Sequence, residues 1–311
     1  MKVSSLGEAI KRMPQYLYDS LIEQYDHNIV DNIIKGYMVT RNTTLRVNTL
    51  VSDSLEIRNT LWEKNIKLDK ASFFDNAFII KNANEKDLES LDIYKEGKIY
   101  LQSLSSMIPP LILNPKEGMK VLDMSAAPGG KTSELVALTN SNIDLTAVEI
   151  DEIRYQKLNY NLEKQHCENV KTLNMDARKL SEEESYDAIL LDAPCSGSGT
   201  IDLNDKKTYV SFSEKLVTKV SSTQYALLSK AVKLAKPGSY ILYSTCSILA
   251  KENEDIVLKV MSENPCLEVI SLDYAKRYNI PTLPCKIKGA IVICPNQLYE
   301  GFFVCKLRKK K

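Results

Sequence analysis

Val121-Leu122-Asp123-Met124-Ser125-Ala126-Ala127-Pro128-Gly129-Gly130-Lys131-Thr132 runs from an apolar strand through a turn of small residues into the start of a helix. Two phosphate-binding loops share that outline, and this stretch is neither. A Walker A loop needs GxxxxGK[ST], and counting back from Gly130-Lys131-Thr132 puts Ser125 where the first glycine belongs. The GxGxxG dinucleotide fingerprint is missing too. What remains is a small-residue loop that lets a ligand approach backbone N–H groups near a helix N-terminus. That arrangement suits an amino-acid carboxylate better than a pyrophosphate.

Outward from this loop, strands and helices alternate. The pattern predicts strands at Met119 to Asp123, Ile143 to Glu149, Val170 to Asn174, Tyr186 to Asp192 and Tyr240 to Ser244. Helices are predicted at Gly130 to Leu138, Glu152 to Gln165 and Glu214 to Ala235. Apolar strands in a βαβα run mean a parallel sheet with helices on both faces, an α/β Rossmann-like class. Gly301 to Leu307 reads as a late edge strand. Upstream, residues 5 to 40 read as helices with no catalytic pattern. From Thr44 the order becomes β-α-β-β-α-β, that of a ferredoxin-like split unit, which RNA-recognition modules also use. Phe73, Phe74 and Phe78 lie where bases can stack, although core or turn packing is the commoner use of such residues. A helix from Ser103 to Leu113 contains Pro109-Pro110, which implies a kink or break and a junction between domains.

Open α/β sheets place ligands at the carboxyl ends of their strands. Glu149 ends the second strand about 20 residues beyond the glycines, where an acidic side chain accepts both hydroxyls of a ribose. A carboxylate grip plus a ribose grip describes S-adenosylmethionine. The loop residues Ser125, Ala126, Ala127, Pro128, Gly129, Gly130 and Lys131 are therefore expected to bind it together with Glu149. Asp176, after the third strand, is expected to meet the adenine amine. The fourth and fifth strands end in Asp192-Ala193-Pro194-Cys195-Ser196-Gly197-Ser198-Gly199 and Ser244-Thr245-Cys246-Ser247, which puts a cysteine at each of two ligand-side strand ends. Cys167, Cys266, Cys285, Cys294 and Cys305 read as inert small hydrophobes.

Composition narrows the chemistry further. The 311 residues are 44% hydrophobic and 26% charged with a net charge of +1, which excludes a disordered chain and a uniformly basic coat for nucleic acid. Seven cysteines with no CxxC pair argue against a disulfide framework and a structural zinc site, and no metal is expected. Two histidines leave little for a multi-histidine centre or a Ser-His-Asp hydrolase. The first residues lack the apolar core of a signal peptide, and no stretch reaches the roughly 18 apolar residues of a spanning helix. A cytoplasmic monomer with no membrane association is expected.

Taken in order, five motifs make the chain similar to the Nop/Sun (RsmB/Nop) family of S-adenosylmethionine-dependent RNA cytosine-5 methyltransferases. They are Leu45-Arg46-Val47-Asn48-Thr49-Leu50, Leu101-Gln102-Ser103-Leu104-Ser105-Ser106, Asp123 to Thr132, Asp192 to Gly199, and Ser244 to Ser247. The resemblance runs from about Thr43 to the C-terminus. It departs from the family at Ser125, where cysteine is more frequent, and at Ile201-Asp202-Leu203-Asn204, where many members carry basic residues.

The patterning and the resemblance together divide the chain into a helical segment at 1–40, an RNA-recognition-like α+β module at 41–102 and a methyltransferase domain at 103–311. The implied reaction transfers a methyl group to carbon 5 of a cytosine in ribosomal or transfer RNA. By the same resemblance Cys246 is the attacking thiolate, Cys195 assists product release, and Asp192 sits against the base and the reactive methyl. Spacing alone does not rank the cysteines. A methyltransferase acting on a small molecule or protein would share the cofactor loop but have no use for Cys195 and Cys246. A non-catalytic RNA-binding protein would have no need to keep every reactive residue.

Overall fold

The computed structural model describes residues 2–183 and 185–311. Internal contacts divide the chain into two compact units. One is Asn42–Leu190 with Leu234–Tyr240; the other is the chain up to Arg41 with Leu191–Lys233 and Ile241–Lys311.

The first unit opens with a small antiparallel sheet of β1 (Thr44–Val47), β2 (Leu68–Lys70), β3 (Ala77–Ile80) and β4 (Ile99–Leu101). Its order, β2-β3-β1-β4, and the helices Ser54–Glu63 after β1 and Glu85–Glu89 with Asp92–Lys95 after β3 make the split β-α-β-β-α-β unit read from the sequence. Leu45, Ile57, Leu61, Phe78, Leu88 and Ile99 close its core. Phe73 and Phe78 are buried and serve packing. β1 stops at Val47 because Asn48 turns the chain. Its carbonyl accepts Ser52 N at 3.1 Å, and its Nδ2 donates to Gly97 O at 3.0 Å and Gln165 O at 2.9 Å.

The Leu104–Leu113 helix corrects one expectation, because it runs through Pro109 and Pro110 without a break. Each proline removes one i→i−4 hydrogen bond. Eight of the ten residues are buried, so tertiary packing holds the helix where propensity does not. Asn114, left-handed at φ 48°, ends it by donating its N–H to Pro110 O.

Four parallel strands follow: β5 (Lys120–Asp123), β6 (Asp144–Glu149), β7 (Lys171–Asn174) and β8 (Tyr186–Asp192). The register sets Asp123 opposite Ala147 and Leu190, and Glu149 opposite Asn174, so the carboxyl ends align. Helices Gly130–Leu138 and Glu152–Lys164 are the crossovers that parallel pairing demands.

β9 (Ala235–Thr245) follows the long helix Glu214–Leu234, and β10 (Leu267–Ile270), β11 (Thr282–Leu283), β12 (Ile291–Ile293) and β13 (Phe302–Lys309) complete the strands. Strand order in the large sheet is β11-β12-β13-β9-β8-β5-β6-β7, with β10 also on β13. β13 is therefore an interior strand, not the edge strand expected at Gly301 to Leu307. Its apolar first half, Phe302 to Cys305, is buried and pairs with β12, while its basic second half pairs with β10. Helices Leu6–Arg12, Gln15–Gln24 and His27–Met38 belong to this second unit. Among the described residues no helix is long and apolar enough to cross a membrane.

Candidate active site

In the first unit, the turn after β5 is built by backbone pairing. Met124 N donates to Leu190 O and Ala126 N to Val148 O, both at 3.0 Å, which pins the loop to the ends of β8 and β6. Asp123 is buried and accepts Thr132 Oγ1 at 2.8 Å, tying the strand end to the first turn of the following helix. Gly129 has φ 105°, a left-handed value that side chains rarely adopt, so glycine is required there. The turn also contains a cis Ala127–Pro128 bond. Arg154 Nη2 donates to Ala127 O at 2.8 Å and Asn161 Nδ2 to Pro128 O at 2.7 Å, so the Glu152–Lys164 helix fixes the loop from outside. Lys131 donates to Ser106 Oγ at 2.7 Å.

Glu149 is buried at the end of β6. Its Oε1 accepts Asp151 N at 3.0 Å, and Arg154 Nη1 stands 3.7 Å from Oε2. That second oxygen is buried without a hydrogen-bond partner. Asp176 is engaged locally: it caps the short helix Ala177–Lys179 and takes Arg178 Nε at 2.9 Å and Nη2 at 2.6 Å. The Arg178 guanidinium holds the Asp176 carboxyl below the usual range.

One contact of this unit was not expected from residue spacing. Arg46 on β1 is buried; its Nη2 donates to Ser133 Oγ at 2.8 Å and Gly130 O at 3.3 Å, and its Nε to Gln102 Oε1 at 3.2 Å. Gln102 Nε2 in turn donates to Glu134 Oε2 at 3.2 Å, and Arg46 Nε lies 3.9 Å from the same oxygen. Two family motifs, at Arg46 and at Gln102, thus converge on the helix that opens with Gly130. Burial pushes the Glu134 carboxyl up to about 8, against the pull of Arg46 and Gln102.

In the second unit, Cys195 and Cys246 come together with their Sγ atoms 2.9 Å apart, each as a free thiol. The strand-end loops carrying them are laced by Ala193 N to Ser244 O at 2.8 Å, Gly199 N to Cys246 O at 2.9 Å and the Ser198 and Ser247 hydroxyls at 2.8 Å. Gly199 admits no side chain, since a Cβ there would sit 2.0 Å from Gly301 O. Half-buried Asp192 accepts Ser244 Oγ at 2.8 Å. The hydrogen bond to Cys246 does most to push the Cys195 thiol well above its ordinary range; burial and the Glu252 charge add to it. Burial likewise raises Cys167 and Cys285 to about 12 and Cys294 to about 11, consistent with inert cysteines.

Residues 110–308, well over half of the chain, match the family described as 16S rRNA methyltransferase RsmB/F. The chain belongs to this family. It is 27% identical over 301 residues to the probable ribosomal RNA small subunit methyltransferase B of Bacillus subtilis, covering 96% of this chain and 66% of that protein. To the ribosomal RNA small subunit methyltransferase F of Shewanella woodyi it is 32% identical over 293 residues, covering 91% and 60% respectively. The chain therefore spans about 60 to 66% of the length of these curated relatives. A crystal structure of a methyltransferase homolog protein from Pyrococcus horikoshii superposes with a TM-score of 0.80 at 28% identity, covering 96% of this chain and all of that one.

The N-terminal helices, which show no catalytic pattern in the sequence, support the cysteine loops of this RsmB/F family member. Tyr37 Oη donates to Ser198 O at 2.6 Å, Tyr25 Oη to Ile248 O at 2.9 Å, and Ala250 N to Gln24 Oε1 at 2.8 Å. The segment Ile201 to Asn204, which departs from the family's basic residues, is packed rather than offered to a ligand. Ile201 and Leu203 are buried, and Asn204 Nδ2 donates to Met38 O at 2.8 Å.

Proposed function

We propose that the chain methylates carbon 5 of a cytosine in RNA, ribosomal or transfer, using S-adenosylmethionine and a transient cysteine bond to carbon 6. The observation that carries this reading is the pair of free thiols 2.9 Å apart at Cys195 and Cys246, in a chain of the RsmB/F family. A methyltransferase working on a good nucleophile has no use for such a pair.

The donor's fit is supported by Glu149, whose buried Oε2 lacks a hydrogen-bond donor. The vicinal hydroxyls of a ribose are donors of that kind. Ser125 to Lys131, the turn that leads into a helix N-terminus, would hold the amino-acid carboxylate. Asp176 would face the adenine amine and Asp192 the reactive end. When bound, S-adenosylmethionine supplies a methyl group on a positively charged sulfur.

Carbon 5 of cytosine is too poor a nucleophile to take that methyl unaided. Cys246, as thiolate, adds through Sγ to carbon 6, which makes carbon 5 enamine-like. Asp192 binds the ring's N3 and amine edge and steadies the adduct. Once carbon 5 carries the methyl, a base removes its proton, the carbon 6–sulfur bond breaks, and the electron pair returns to Cys246. Cys195, holding its proton nearby, donates a hydrogen bond to the departing sulfur.

A stacked cytosine hides carbon 6, so the target base must be single-stranded or flipped out, at a cost of a few kcal/mol that wider contacts offset. Residues 41–102 serve as the RNA-recognition module beside a methyltransferase domain at 103–311, and the setting is that of a cytoplasmic monomer. The test is a denaturing gel of variants incubated with labelled 16S rRNA transcript and S-adenosylmethionine. Cys246→Ala should give neither methylation nor a covalent adduct, while Cys195→Ala should accumulate the adduct. An adduct in Cys246→Ala and none in Cys195→Ala reverses the roles. Methylation intact in both variants excludes the cysteine mechanism.

A further inference from the structure

Glu252 has no part in the chemistry above, yet it is completely buried. Its carboxylate takes donors from both cysteine loops. Ser196, next to Cys195, donates its N–H to Oε2 at 2.8 Å and its hydroxyl to Oε1 at 2.5 Å. Ser247, next to Cys246, donates its hydroxyl to Oε1 at 2.7 Å. Gln224 Nε2 bridges Oε2 at 3.2 Å and Pro194 O at 2.8 Å. Tyr243 Oη grips the same residue through its backbone carbonyl at 2.6 Å.

Among the described residues these partners are hydroxyl, amide and backbone donors, with no cation among them. A carboxylate buried without a cation is costly unless its lone pairs are filled, and such hydrogen bonds are about twice as strong as neutral ones. The cost is met at the one point where the neighbours of both sulfurs converge.

We propose that Glu252 is a positioning residue that clamps the Cys195 loop to the Cys246 loop and thereby sets the separation of the two sulfurs. The proposal rests on reading that pair as the reactive centre. The loops stay joined through Ser198 to Ser247 and Gly199 to Cys246, so loss of the clamp loosens the pair without unfolding it.

Phenylarsine oxide tests the spacing in the full-length protein without RNA or cofactor. It condenses with two neighbouring thiols, forming two arsenic–sulfur bonds and releasing one water, and the arsenic remains trivalent. Parent protein should capture it on Cys195 and Cys246, as located by peptide mapping. Glu252→Gln, neutral and of the same shape, should bind it about tenfold more weakly, the loss expected for a charge-assisted hydrogen bond. Iodoacetamide labelling of Cys246 alone should stay unchanged, a control that a general structural defect fails. If buried Cys305 becomes reactive, the variant has opened, and Ser196→Ala, which removes only the hydroxyl bond on the Cys195 side and keeps the backbone one, should weaken capture in the same direction. Equal capture by parent and a folded variant overturns the proposal, as does a parent that captures none. Weakened capture in a protein that never methylates RNA upholds the clamp and removes the functional reading instead.

Discussion

Glu134 gives the chain a measurable pH dependence. The carboxyl is fully buried on the helix that opens at Gly130, Arg46 and Gln102 approach only its Oε2, and Oε1 has no hydrogen-bond partner. Burial lifts it from an ordinary 4.5 to about 8. A folded-state value raised above the unfolded one means that the group's contribution to stability is fully present below pH 4.5 and is lost as pH rises through about 8. At about 1.4 kcal/mol per pH unit across that window, the loss is on the order of 5 kcal/mol in all and about 3 kcal/mol by pH 7. Glu134→Gln keeps the shape and the hydrogen bond while removing the titration. Urea unfolding of parent and variant at steps from pH 5 to pH 9 should therefore diverge, with the variant gaining on the parent by several kcal/mol toward alkaline pH. Curves that stay parallel across the window refute the reasoning, because a Glu134 that ionises as freely folded as unfolded contributes no slope.

Three further outcomes are expected. Glu149→Ala should weaken S-adenosylmethionine binding by about 1–3 kcal/mol through loss of a charged acceptor; calorimetry returning equal affinities rejects its placement at the ribose. Tyr37→Phe removes a 2.6 Å hydrogen bond to Ser198 O at a buried site. It should lower unfolding stability by about 1–2 kcal/mol, and an unchanged urea midpoint would mean that the N-terminal helices do not support the Cys195 loop. A fragment beginning at Ser103 lacks Arg46 and Gln102 and so removes their hydrogen bonds to Gly130, Ser133 and Glu134. It should lose cooperative unfolding and cofactor binding together, which circular dichroism and calorimetry on one sample decide.

The parallel strands and the loop after Asp123 were readable because their determinants are local: apolar runs, small residues in a turn, an acid at a strand end. The split α+β unit was readable for the same reason, and its first strand ends where Asn48 makes side-chain bonds to Gly97 and Gln165. Where the prediction failed outright, the determinant was distant. Pro109 and Pro110 should have broken a helix, but burial on nearly every face outweighed two lost hydrogen bonds. Gly301 to Leu307 lay last in the chain and read as an edge, yet the apolar half of β13 is long enough to be flanked on both sides.

The candidate site divides along the same line. Cys195, Cys246 and Asp192 announce themselves by residue type, since cysteine at two ligand-side strand ends is rare and reactive. What arranges them does not. Glu252 lies 56 residues from Ser196, 28 from Gln224 and 5 from Ser247. Tyr37 lies 161 residues from Ser198, and Arg46 lies 87 from Ser133. Each is a polar residue whose distance from its partners matches no helix or strand period, so its contacts are not legible from spacing until burial is known. A carboxylate or guanidinium that folding removes from water must find its donors or acceptors across the fold. The residues that meet Glu252, Tyr37 and Arg46 are the neighbours of the cysteines and of the Gly130 turn. These three buried polar groups therefore hold, in each unit, the loops that carry the proposed chemistry.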